Sequence, residues 1–163
     1  MENSPSAVDR HALVLPALGK VPELRLTMEK VIEAQNRLIE AKNVNPATYA
    51  DLESCFNESY RDLKQHLSAI GYQIAQTDKA LETAKANVLL DKYPAYIEAQ
   101  GIKDNTDIRK AFLIRDEAYC TALDRFNQLK ALESSFEGKI KVLENVCRYM
   151  KKSMDLIIRN GGR

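Results

Sequence analysis

From Thr106 to about Arg159 the chain has no proline, and its one glycine there is Gly138. Within that stretch large residues recur at alternating steps of three and four. They are Tyr119, Ala122, Phe126, Leu129, Phe136, Ile140, Leu143, Cys147, Met150, Met154 and Ile157, with Glu133 the one interruption. Such steps keep side chains on one stripe of a helix. An a/d repeat sustained over this length predicts a long helix lying along another helix. At about 1.5 Å per residue it would span roughly 80 Å, longer than a compact domain of this size is wide.

A second rod is predicted from Pro46 to Tyr93. Its seam reads Leu52, Phe56, Tyr60, Leu63, Leu67, Ile70, Ile74, Thr77, Leu81, Ala84 and Val88, opening on a four-four stutter. Gly71 lies inside it at a cost of about 1 kcal/mol relative to Ala and marks a bend or a close helix crossing. A shorter first helix is expected from Pro22, a favoured N1 residue, with Glu23 in its first turn, to about Lys42. Asn43-Val44-Asn45 ends it, and Pro46 opens the next. Pro94 interrupts the second rod, Ala95–Gln100 suit one or two helical turns, and Gly101–Asn105 read as a loop. Asn105 or Thr106 caps the third helix, with Asp107 in its first turn.

The expected fold is therefore all-α. It is an elongated antiparallel hairpin of two long amphipathic helices plus a shorter N-terminal helix, in one coiled-coil-like domain over 22–163. Phe112, Leu132, Val142, Val146 and Ile158 lie off the seam and broaden the apolar face, so each helix packs against more than one neighbour and the protein is expected to be oligomeric. Residues 1–21, with Pro5, Pro16 and Gly19, are expected to be a flexible N-terminal arm. Its apolar run from His11 to Leu18 docks either on the chain's own helices or on a neighbouring subunit or partner.

With 163 residues, 45% hydrophobic and 29% charged, the chain is long enough for one cored domain. Cys55, Cys120 and Cys147 are odd in number and far apart, and His11 and His66 sit near no cysteine pair. Neither a zinc site nor a disulfide framework is expected. Free thiols suggest a reducing compartment, most simply the cytoplasm. No run approaches the length of a membrane span, and Glu2 and Asp9 argue against a signal peptide. Phosphate-loop, dinucleotide, zinc-protease and nucleophile-elbow signatures are all absent, so no catalytic residue, cofactor or metal ligand is expected.

Charge is distributed unevenly. The net charge is +1, but residues 138–163 carry seven Lys and Arg against two acids. In the heptad frame Lys141 and Arg148 are b positions, and Lys152 and Arg159 are f positions, so the four form one outward stripe. Such a stripe either neutralises phosphates of a nucleic-acid strand or complements the helix macrodipole and keeps the rod soluble. A second group surrounds the hairpin end. Lys79, Lys85 and Lys92 close the second helix, and Arg109 and Lys110 open the third. Tyr93 and Tyr96 lie nearby, either as a stacking platform for single-stranded bases or as a plug for the hairpin end.

The run Leu81-Glu-Thr-Ala-Lys-Ala-Asn-Val-Leu-Leu-Asp-Lys-Tyr93 precedes a glycine-containing loop. Asp107-Ile-Arg-Lys-Ala-Phe-Leu-Ile-Arg-Asp116 and a long amphipathic helix follow it. Over roughly residues 50–155 this order resembles the UvsY-type recombination mediators of tailed phages. The resemblance implies a small helical protein that assembles into rings, binds single-stranded DNA and helps load a recombinase onto DNA covered by single-strand-binding protein. The family's Lys-Ala-Arg triplet is matched by Lys85-Ala86-Asn87, so only Lys85 carries over. The DNA contacts are then expected at Lys79, Lys85, Arg109, Lys110, Lys141, Arg148, Lys152 and Arg159. A net charge near zero fits the alternatives better: a phage scaffold or assembly chaperone without nucleic-acid binding, or a regulator that blocks one protein.

Overall fold

The computed structural model describes residues 11–161. The part of the expected arm at residues 1–10 lies outside them. The chain is mostly helical, with one small antiparallel sheet, and it divides into two compact units. Both long helices, α2 (Pro46–Asn87) and α5 (Glu117–Gly161), contribute residues to each unit.

The first unit takes 11–15, 24–69 and 133–161. Strand β1 (Ala12–Leu15) pairs antiparallel with β2 (Leu24–Thr27), Leu13 opposite Leu26 and Leu15 opposite Leu24. Leu24 and Leu26 are buried while Arg25 and Thr27 are exposed, the period of two expected of a half-buried strand. The helix expected from Pro22 therefore begins only at Glu29. The reason is that the Leu-Arg-Leu-Thr alternation finds strand partners in the Ala12–Leu15 segment of the expected arm.

Helix α1 (Glu29–Arg37) buries Val31 and Ala34, and a 3₁₀ turn follows at Glu40–Asn43. Asn45 then caps α2: its Oδ1 accepts from the Ala47 and Thr48 amides at 2.9 and 3.2 Å. Arg37 fastens this corner, donating to Glu40 at 3.1 Å and to Asp51 at 2.6 Å. Within the unit the α2 segment runs antiparallel to the α5 segment. Tyr60 donates to Glu144 at 3.4 Å, and further along α2 the His66 ring meets Phe136, earlier in α5, at 6.0 Å. His66 Nε2 also lies 2.8 Å from the Thr27 carbonyl, so this histidine ties α2 to β2. Leu24, Leu26, Val31, Leu52, Phe56 and Leu63 form the core with Phe136, Ile140, Leu143 and Met150, those of α2 and α5 all on the expected seams.

The second unit takes Pro16–Glu23 and Ile70–Leu132. Its tip is a tight turn in which Leu18 and Val21 exchange backbone bonds of 2.9 and 2.8 Å around Gly19, whose φ is +55°. Two buried side chains hold that turn: Gln73 donates to the Pro22 carbonyl at 2.8 Å, and Arg125 to the Pro16 carbonyl at 2.9 Å. Burial pushes the Arg125 guanidinium below its ordinary value.

Beyond Asn87 the second rod does not continue as α-helix to Tyr93. It widens into a π turn, Val88–Lys92, where the Tyr93 amide reaches the Val88 carbonyl, and then enters α3 (Tyr93–Gln100). Pro94 has no N–H to give and its ring crowds the carbonyl four residues back; the widened turn makes room for it. Gly101 ends α3 in the left-handed conformation, φ +61°. The expected third helix is likewise two helices. Helix α4 (Thr106–Leu113) is capped by Asn105, which accepts from Ile108 N at 2.9 Å. It stops at Ile114–Asp116, because Asp116 turns its carboxylate onto the Tyr119 amide at 3.0 Å and becomes the cap of α5. An added Cβ at Gly71 would meet nothing within 4 Å, so no neighbouring helix crowds that glycine.

Candidate nucleic-acid interface

In the first unit, α5 places its a and d residues inward and its b and f residues in solvent. Ile140, Leu143 and Met150 are buried, whereas Lys141, Arg148, Lys152 and Arg159 are all exposed on one helix. By helical rise they stand about 10, 6 and 10 Å apart along its axis. Among the described residues, no carboxylate forms an ion pair with any of the four. This segment of α5 holds four acids, Glu133, Glu137, Glu144 and Asp155; Glu144 stands three residues after Lys141 and four before Arg148, Asp155 three after Lys152 and four before Arg159, and Glu144 accepts from Tyr60. Along the adjoining strip lie Val142, Tyr149 and Leu156, one heptad apart and 46%, 52% and 59% exposed. Ile157 and Ile158 are exposed nearby.

The second unit holds the other four expected contacts. Lys79 and Lys110 are exposed, with no ion pair among the described residues. Lys85 reaches back one turn to Glu82 at 3.3 Å. Arg109 grips Asp104 with its Nε, 2.9 Å from Oδ1, and with one terminal nitrogen. The Tyr93 hydroxyl donates to the same Oδ1 at 2.7 Å. The Arg109 bonds, with Tyr93 adding to them, hold the Asp104 carboxyl below its ordinary range, and Asp104 in turn raises Arg109. Lys92, further along the same end, pairs with Asp116 and lowers its pKa.

Tyr93 and Tyr96 do not present a stacking platform. Tyr93 is 5% exposed, and the Tyr93 and Tyr96 rings stand 5.4 and 4.7 Å from Phe112. These rings plug the hairpin end. A groove of about 1000 Å³ opens elsewhere in this unit, lined among others by Lys20, Lys79, Lys92, Ala80, Ala84 and Ala118.

The remaining chemistry is sparse. No group of three or more His, Cys, Asp or Glu among the described residues could hold a metal ion. Cys55, Cys120 and Cys147 are free thiols, and burial pushes Cys55 and Cys147 above the ordinary thiol value. No described helix is long and apolar enough to cross a membrane.

Sequence reasoning passed over two features. By composition Asp104 is a loop residue, and its part in holding Arg109 and Tyr93 is visible only in three dimensions. Tyr149 could have been found: it lies off the seam, directly after Arg148 and three residues before Lys152. No family model, curated protein or solved structure matches the chain.

Proposed function

We propose that this is a non-enzymatic DNA-recombination accessory protein that self-associates through its helices and holds single-stranded DNA along the outer face of α5. One observation carries the reading. Lys30, Arg37, Lys85, Lys92 and Arg109 are each tied to a carboxylate, whereas the file of Lys141, Arg148, Lys152 and Arg159 has none paired to it among the described residues. Four cations on one face of one helix, none of them held in an ion pair among the described residues, suit a polyanion, which exchanges its counterions for them. Recombinase loading, with contacts to a recombinase or single-strand-binding protein, is what the resemblance to the UvsY-type mediators adds.

Self-association draws support from the exposed apolar residues Ile157 and Ile158 near the end of α5. The same residues favour a second reading, an assembly scaffold or chaperone that meets protein alone.

Fluorescence anisotropy of a labelled single-stranded oligonucleotide, with light scattering for mass, separates the two. The first reading expects binding at low salt that weakens steeply as salt rises, in an assembly larger than one chain. Arg148→Glu with Lys152→Glu should abolish most of that binding while leaving the mass unchanged. Absence of binding at low salt would sink the DNA reading and leave the scaffold.

A further inference from the structure

Of seven tyrosines and four phenylalanines, all within the described residues, two present exposed rings: Tyr72 at 60% and Tyr149 at 52%. Their surroundings differ. On a helix the residues three and four away are the surface neighbours. For Tyr72 these are Ser68, Ala69, Ala75 and Gln76, none of them charged. For Tyr149 they are Asn145, Val146, Lys152 and Ser153, one of them a cation, and Arg148 directly precedes it. It is the one exposed aromatic ring, among the described residues, that stands beside the unpaired cations of α5. Val142 and Leu156 lie one heptad to either side, so the strip it belongs to is apolar along its length.

The chemistry of this juxtaposition is specific. Arg148 and Lys152 attract phosphates of any nucleic acid, single- or double-stranded. An exposed ring adds something a single strand can use far more readily than a duplex, because pairing holds duplex bases within their stack whereas a single strand can turn a base face onto the ring. The ring tolerates any sequence, since every base has a π face.

We propose that Tyr149 is a base-stacking residue on this face and makes it selective for single-stranded over duplex nucleic acid. This rests on the reading of α5 as a nucleic-acid face. The cations supply affinity that depends on salt; the ring supplies affinity that does not. Three outcomes follow from that division. Tyr149→Phe keeps the π face and binds a single strand like the parent. Tyr149→Leu and Tyr149→Ala lose about tenfold in single-strand affinity. Neither substitution alters the affinity for the matching duplex or the steepness of the salt dependence.

The sequence contains no tryptophan, so Tyr149→Trp places a single, selectively excitable tryptophan at the site. A mixed-sequence single strand and its duplex, titrated against Tyr149→Trp, should quench its emission strongly in the first case and weakly in the second. The inference is overturned if Tyr149→Ala binds the single strand as the parent does. It is also overturned if that variant loses single strand and duplex equally, or changes the assembly's mass with DNA affinity intact, which would make the strip a protein contact. In each of those cases a loss on Arg148→Glu with Lys152→Glu would still uphold the DNA face. If the parent binds no nucleic acid at low salt, both ideas fall.

Discussion

Neutralising the α5 stripe tests the electrostatic reasoning quantitatively. Lys141, Arg148, Lys152 and Arg159 are exposed and unpaired among the described residues, so each can displace one condensed counterion from a strand. For single strands the slope of log affinity against log salt is about −0.7 per phosphate neutralised, which makes roughly −2.8 for four contacts from one protomer. Between about 50 and 200 mM salt the affinity should then fall about 50-fold. Arg148→Gln with Lys152→Gln removes two contacts, halves the slope to about −1.4 and leaves only about a sevenfold fall over the same range. Lys85→Gln is the internal control. Lys85 already sits 3.3 Å from Glu82, so a phosphate must compete with that carboxylate and the slope should change little. The assay is anisotropy across a salt series, at concentrations where light scattering shows constant mass. Equal slopes for the parent and the double variant would refute the assignment, and so would a drop for Lys85→Gln as large as theirs.

Three further outcomes follow from the packing. Thr77 is fully buried with no hydrogen-bond partner for its hydroxyl, so Thr77→Val, which keeps the shape, should stabilise the protein by about 1 kcal/mol in urea unfolding; destabilisation would reveal a partner for that hydroxyl. Gly101→Ala, placed at φ +61°, should lower stability by about 1 kcal/mol, with Gly101→Asn milder, and an unchanged denaturation midpoint would contradict the left-handed cap. The Asp104 carboxyl is depressed below its ordinary 3.8, first by Arg109 and then by Tyr93, so its contribution is present above that value and lost as pH falls through the lower folded value. NMR signals of the Tyr93 and Phe112 rings should therefore shift below about pH 4, and Asp104→Asn should remove that transition; a transition surviving in the variant would place its origin elsewhere.

Much of the helical layout was legible because its signals are local. Pro46 opens α2 where a proline at N1 predicts, and the Asn105 side chain caps α4 as expected of an asparagine there. The a/d seams of α2 and α5 follow the core: Leu52, Phe56, Leu63, Ile70, Leu129, Phe136, Ile140, Leu143 and Met150 are all buried. Outward positions were legible by the same logic, since a residue opposite the seam is exposed whatever the partner helix is.

What the sequence alone does not show has a distant and a local source. Leu24–Thr27 reads as helix from Pro22 because the Ala12–Leu15 strand that pairs with it falls in the expected arm. Asp116 could have been a helical residue by its own propensity; its choice of the Tyr119 amide is what breaks the third rod. The eight expected cationic contacts looked alike in sequence. Folding separates them, because a carboxylate neutralises an arginine only when the chain brings both within reach, as the loop does with Asp104 and Arg109.

By itself, then, the sequence determined two long amphipathic helices, their inward stripes and the outward file of cations on α5, since periodicity is a property of one segment. Tertiary structure alone decided the small sheet and which aromatic rings are buried. Those depend on contacts between residues far apart in the chain, and no local pattern encodes such distances.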